Sequence, residues 1–337
     1  MKCYPDRCRT IAGDKAELLS SQSLQIESMN ELGGVRKVKR IMRSRATIEG
    51  AGVRLKRAFG FNQVPELDPF LLLDDFHSHN PDDYVAGFPW HPHRGIETIT
   101  YMLHGVVEHG DSMGNKGVIR AGDIQWMTAG SGIIHQEMPK GEKNGLMWGF
   151  QLWANLPASH KMMDPRYREI KSEQVAIATL EGGAEVRVIC GEVNGAKGPV
   201  RDIITDPEYL DVSVPANSKF IHTVKSDHTA FAYVIDGKAY FDQERDPYAF
   251  EIDGVNYFDL KRDCLISRES VVLFDEGNQL IITTSDDPAR FLLISGKPIR
   301  EPVAWYGPIV MNTQDELRTA FDEYQNGTFI KHQKPAI

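Results

Sequence analysis

From Val35 onward, apolar positions recur in short runs at strand spacing, with no sustained helical period until the last forty residues. "ETITYML", "GDIQWM", "LMWGFQLWANL", "EVRVIC", "TAFAYVIDG", "SVVLF", "QLIITT" and "RFLLIS" are each bounded by Gly, Asp, Asn or Pro. Many short β-type runs punctuated by turn residues predict an all-β sandwich or barrel. "NPDDYVAGFP" (80–89) and "LPASHKMMDPRY" (156–167) read as loops, the second as the connection between two domains. The period changes near the C-terminus. Thr313 and Glu316 form a capping box, Leu317, Phe321 and Tyr324 fall at i, i+4 and i+7, and Asn326-Gly327 is a stop signal. An amphipathic helix over 314–325 is therefore expected, its apolar stripe lying on a β-domain.

A faint internal repeat points to two related domains. Tyr101-Met-Leu-His-Gly105 is echoed by Tyr233-Val-Ile-Asp-Gly237; "AGDIQWM" (121–127) follows the first copy and "ESVVLF" (269–274) the second. The longer interval in the second copy places an insertion near 243–268. The organisation expected is an extension over 1–34 with little structure, a first domain over 35–160, a second over 161–300, and a C-terminal segment over 301–337 carrying the helix.

The length of 337 residues suits two domains, and 41% hydrophobic with 25% charged residues is ordinary for a globular chain. A net charge of −9 argues against nucleic acid or an anionic membrane as a partner. The basic stretches "VRKVKRIMRSR" (35–45) and "VRLKRAFG" (53–60) alternate charged with apolar residues, which predicts half-buried strands with cationic outer faces. No apolar run approaches the ~20 residues of a membrane span, and no secretory signal pattern opens the chain, so a cytoplasmic location is expected. Cys3, Cys8, Cys190 and Cys264 are scattered, as in a reducing compartment.

Seven of the eleven histidines fall between His77 and His135. In a strand, residues i and i+2 project from one face, so His91/His93 in "FPWHPHRGIETITYMLHG" and His135/Glu137 in "AGSGIIHQEMP" are two same-face pairs. If their strands are neighbours, four ligands converge. Three imidazoles and a carboxylate suit Fe, Mn, Co, Ni, Cu or Zn, are too nitrogen-rich for Ca or Mg, and leave coordination positions open. A lone HxH pair is more often surface than site, and His77/His79 has the same spacing, making those two the competing ligands.

"LDPFLLLDDFHSH" (67–79), "FPWHPHRGIETITYMLHG" (88–105), "AGDIQWMTAGSGIIHQEMP" (121–139) and "YGPIVMNT" (306–313) resemble the pirin family of the cupin superfamily. The resemblance runs from about Val35 to the C-terminal helix. It implies a bicupin: two β-barrels face to face, with one divalent transition metal, iron(II) above all, in the N-terminal barrel on His91, His93, His135 and Glu137. Glu97, where many cupins place a carboxylate ligand, is by this resemblance outside the ligand set. The second barrel has no HxH or HxE pair; His222 and His228 read as ordinary β-domain histidines. The extension before Val35 and the insertion near 243–268 depart from the compact form of the family.

Two function classes follow from the resemblance. One is a quercetin 2,3-dioxygenase-type enzyme, opening a flavonol or similar enolisable phenolic with O2, with the metal as Lewis acid and Glu137 as base. Phe88, Trp90 and Met138 would line its pocket; Trp126 and Met127 are also nearby, but alternation keeps those two from both facing inward. The other is an iron- or redox-sensing binding protein acting as a transcription cofactor through a protein partner, with Arg94 and the basic 35–57 stretch as its contact surface.

Overall fold

The computed structural model describes residues 34–253 and 263–332. The expected extension over 1–34 lies outside this range except for Gly34, as does the 254–262 part of the expected insertion. Every run singled out above as a strand is one, and the fold is the bicupin that the resemblance implies.

The first barrel closes a seven-stranded sheet over a four-stranded one. The large sheet runs, in order, Arg166–Ile170, Ile124–Thr128, Ile96–His104, Met147–Asn155, Phe70–Ser78, Val53–Phe59 and Arg45–Glu49. The small sheet runs Phe88–His93, Ile133–Lys140, Val106–Asp111 and Lys116–Arg120. The second barrel is built on an eleven-stranded sheet whose interior is packed solid with Phe220, Phe241, Phe274 and Phe291.

The two large sheets lie face to face. Phe59, Phe70, Ile99, Trp126 and Phe150 of the first barrel share one apolar cluster with Tyr209, Phe231, Leu273 and Ile294 of the second. The faint repeat has a topological basis: Tyr101 pairs with Ile124 across its sheet, as Tyr233 pairs with Val271 across the other.

The domain boundaries expected from the sequence need correcting at both ends. Val38–Arg43, assigned to the first domain, pairs with Ser270–Phe274 of the second barrel, and Val38 and Ile41 enter that barrel's core. Conversely, Arg166–Ile170, assigned to the second domain, pairs with Ile124–Thr128 of the first. The crossing therefore falls between Ile170 and Ala176, not in 156–167. Alternation shows that a segment is a strand but carries no information about which sheet supplies its hydrogen-bonding neighbour. Within the expected insertion, Glu251–Ile252 lies parallel to Val38–Arg43, and Leu265–Ser267 pairs with Lys238–Tyr240.

The C-terminal segment returns to the first barrel. The hairpin Ala304–Tyr306/Ile309–Met311 precedes the helix Gln314–Gln325, which has the expected Thr313/Glu316 capping box. Leu317 and Ala320 are buried against the hairpin, while Tyr324, expected in the stripe, is 38% exposed and meets Phe329 edge-on. Arg94, expected on an open regulatory surface, is instead buried beneath this segment. Its guanidinium lies over the Phe329 ring, donates to the Ser131 and Phe329 carbonyls, and pairs with Glu323 at 2.8 Å. Lys161 supplies a second tie, its ammonium donating to the carbonyls of Gly95 and Val310 and to Asn155 Oδ1. With no carboxylate in that cage, burial pushes the Lys161 pKa down to about 7.

Candidate metal centre

The strand Ile133–Lys140 lies between Phe88–His93 and Val106–Asp111, with His135 directly opposite His91 on one side and Asp111 on the other. A register shift between His135 and Glu137 sets Glu137 opposite Phe88, and its other neighbour is His109. The strand pairing brings His91, His93 and His135 together inside the first barrel, and sets Glu137 beside His135 and His109.

Hydrogen-bond geometry defines which ring nitrogens are free to ligate. His91 Nδ1 lies 2.7 Å from the Pro89 carbonyl and His93 Nδ1 lies 3.0 Å from the Pro308 carbonyl. A carbonyl only accepts, so both Nδ1 atoms carry the hydrogen and both Nε2 atoms present lone pairs. These two Nε2 atoms face each other at 3.1 Å. Burial depresses the pKa of both rings, His93 well below the usual range, so a shared proton does not relieve the opposition. His135 completes the arrangement: it is fully buried, both ring nitrogens have no partner, and burial holds it neutral as well. Opposed lone pairs and an orphaned imidazole are what a cation resolves, and the donor atoms of His91, His93 and His135 all lie within 4.8 Å of one another. These residues fit a transition metal.

Glu137 is buried and held from behind. Its Oε1 accepts from Gln125 Nε2 at 2.9 Å; Thr100 Oγ1 is 3.0 Å from the same oxygen and 2.8 Å from Gln151 Oε1, and has one hydrogen to give. Both neighbours of the carboxylate fall on Oε1 and leave Oε2 for chemistry.

Sequence reasoning missed His109. Its donor atoms lie within 4.8 Å of those of His135 and Glu137, forming a second grouping that shares only His135 with the first. Its Nε2 meets Asp111 Oδ2 at 3.2 Å and its ring stacks on Tyr167 at 4.6 Å. "HGD" is itself an i, i+2 pair of ligand-type residues, the same signal that singled out His91/His93. The competing pair is elsewhere: His77 stacks on Trp148, outside the cluster. Glu97 is buried and accepts from Thr128 Oγ1 at 2.6 Å, away from the histidines. In the second barrel His222 pairs with Glu208 at 2.9 Å, and His228 lies 3.7 Å from Asp206.

A cavity of about 680 Å3 opens onto His91, His93 and Glu137. Phe88 and Trp90 line it as expected, joined by Phe61, Trp153 and, from the returning C-terminal hairpin, Trp305 and Tyr306. Met138 does not. One residue beyond Glu137, it faces the other side of the strand, with its sulfur against Gly87.

Comparison with known proteins gives the family. The family description Pirin matches residues 52–154, which contain all four candidate ligands, and Pirin C-terminal cupin domain matches 209–330. A pirin-like protein of Caulobacter vibrioides is 41% identical over 88% of this chain and 99% of its own length. A Pseudomonas aeruginosa protein with the provisional name quercetin 2,3-dioxygenase is 40% identical over 83% of this chain and 93% of its own. A solved quercetin 2,3-dioxygenase structure from Acinetobacter baumannii superposes with a TM-score of 0.74 at 30% identity, covering 88% of this chain and 99% of that one.

Proposed function

This chain belongs to the pirin family, and from that premise we propose that it is a metal-dependent dioxygenase of the quercetin 2,3-dioxygenase type, with His91, His93, His135 and Glu137 as ligands and iron(II) as the resident metal. The substrate is a flavonol or similar enolisable phenolic. The observation that carries this proposal is the junction of two features: a cavity of about 680 Å3 walled in part by Phe61, Phe88, Trp90, Trp153 and Trp305, and a triad of neutral imidazoles of which His91 and His93 open onto it.

When bound, the metal supplies a Lewis acid that lowers the pKa of an enolic hydroxyl brought against it. The protein does the rest. Pro89 and Pro308 carbonyls hold the His91 and His93 rings in the ligating tautomer. Glu137, oriented by Gln125 through Oε1, offers Oε2 to the substrate's hydroxyl proton. Phe88, Trp90, Trp153 and Trp305 provide the flat apolar walls that exclude water and hold a planar ring system. Arg94 is buried, so of the two features named for a redox-sensing contact surface the basic 35–57 stretch alone is left to carry that reading.

The test is oxygen uptake with quercetin, using protein of quantified metal content, beside a His91→Ala control. Uptake that tracks occupied metal and vanishes in the control is the expected result. No uptake by fully iron(II)-loaded protein overturns the proposal.

A further inference from the structure

The cavity wall holds a second polar cluster, built by neither the histidines nor Glu137. In the strand Phe70–Ser78, alternation turns Leu72, Asp74 and Phe76 into the cavity, while Asp75 points to the seam between the barrels. Arg57, on the neighbouring strand and across from Asp74, grips that carboxylate with two parallel bonds: Nε to Oδ1 and Nη2 to Oδ2, both 2.8 Å. Its Nη1 pairs with Glu49 at 2.8 Å. Glu49, Arg57 and Asp74 all line the cavity.

Two carboxylates on one guanidinium leave this cluster with a surplus of negative charge and of acceptors. Each Asp74 oxygen spends one lone pair on Arg57 and keeps another, and Glu49 is engaged through Oε1 alone. Unspent acceptors in the wall of a ligand cavity, on the buried Asp74 above all, suit hydroxyl donors. A ligand without them leaves the acceptors unpaired, and an anionic ligand meets like charge.

We propose that Glu49, Arg57 and Asp74 form the hydroxyl-recognition cluster of the cavity, so that the site selects uncharged polyhydroxylated aromatics and rejects analogues carrying an anionic substituent against that cluster. Arg57 is a positioning residue: it fixes the two carboxylates and neutralises one of them. This proposal rests on the phenolic-substrate reading of the same cavity.

The experiment is anaerobic calorimetric titration of metal-loaded protein with three probes: quercetin, 3-hydroxyflavone lacking the other hydroxyls, and 3-hydroxyflavone with a carboxylate on its pendant ring. Wild-type protein should prefer quercetin to 3-hydroxyflavone by about tenfold or more, the effect of a hydrogen bond to a charged group, and bind the carboxylate weakest. Asp74→Asn and Glu49→Gln should each shrink that preference to less than about threefold and improve binding of the carboxylate. Glu49 is solvent-facing on one side, so Glu49→Gln carries the test if Asp74→Asn fails to fold. An unchanged preference, or a carboxylate that binds tightest to wild type, overturns the recognition role and leaves the proposed reaction standing. No binding of any flavonol by loaded protein overturns the phenolic reading and this proposal with it.

Discussion

Tyr101 in the first barrel donates its phenolic hydrogen to Asp211 of the second at 2.6 Å, and the relationship is reciprocated: Tyr233 in the second donates to Asp75 of the first at 2.7 Å. These are the two tyrosines of the faint internal repeat, so the repeat marks a pair of equivalent clasps across the seam. Asp211 is also held by Arg290, and Asp75 by the Trp148 indole. Tyr101→Phe and Tyr233→Phe should each destabilise the protein by about 1–3 kcal/mol, because each strands a buried carboxylate lone pair. Thermal unfolding checks this, and metal content should stay at the wild-type level in both.

Burial pushes the carboxyl of Asp75 up to about 6, since its partners are uncharged side chains. A carboxyl raised on folding binds more protons in the folded state, so its contribution is fully present below the unfolded value near 4 and is lost as pH rises through about 6. The unfolding free energy of Asp75→Asn should therefore lack that decline. Subtracting its pH profile from that of the wild type, between pH 4 and 7, isolates the contribution from the oppositely signed titration of the buried histidines. A flat difference would contradict the burial of an ionisable Asp75.

Two groupings of ligand-type residues overlap at His135, with Glu137 in the one that holds His109, and metal analysis separates them. His93→Ala and Glu137→Ala should lose stoichiometric metal while the β-sheet circular dichroism is preserved. His109→Ala should keep it, because His109 already has Asp111 and Tyr167 as partners. Loss in His109→Ala with retention in His93→Ala would exchange the two assignments.

The C-terminal hairpin forms part of the metal pocket, and Gly95 is where it docks. At φ +78° a Cβ there would sit 2.0 Å from the Val310 carbonyl oxygen, a backbone atom that cannot step aside. Gly95→Ala should loosen the hairpin, freeing the Pro308 carbonyl from His93. The expected result is a lower unfolding temperature together with easier metal loss to a competing chelator; a lower temperature with unchanged chelator competition would show the hairpin to be structural only.

Trp90 and Met138 flank the ligands equally in sequence and differ in which face they occupy. Trp90→Ala should weaken flavonol binding several-fold, the effect of removing an aromatic wall, and Met138→Ala should leave it near the wild-type value. Titration of the metal-loaded variants decides between them.

Much of the candidate site was legible because strand geometry is local. A two-residue period with side chains on one face is enough to pair His91 with His93 and His135 with Glu137, and turn residues delimit the strands that carry them. The helix at 314–325 was legible for a similar reason: its cap is a contact between Thr313 and Glu316, three residues apart. His109 carried the same local signal in "HGD", yet nothing short of the pairing of Val106–Asp111 with Ile133–Lys140 places it beside His135.

What the sequence by itself determined was therefore the set of strands, the face on which each side chain lies, and the ligand types on offer. Only the tertiary structure decided which barrel each border strand joins, that Arg94 is buried under a segment more than two hundred residues away, and that Pro308 supplies the carbonyl behind His93. It also decided that Arg57 and Asp74 meet in the wall of the cavity. The physical reason is that period and capping depend on neighbours along the chain, whereas sheet membership and cavity walls depend on long-range hydrogen bonds and burial that become defined only when distant segments pack together.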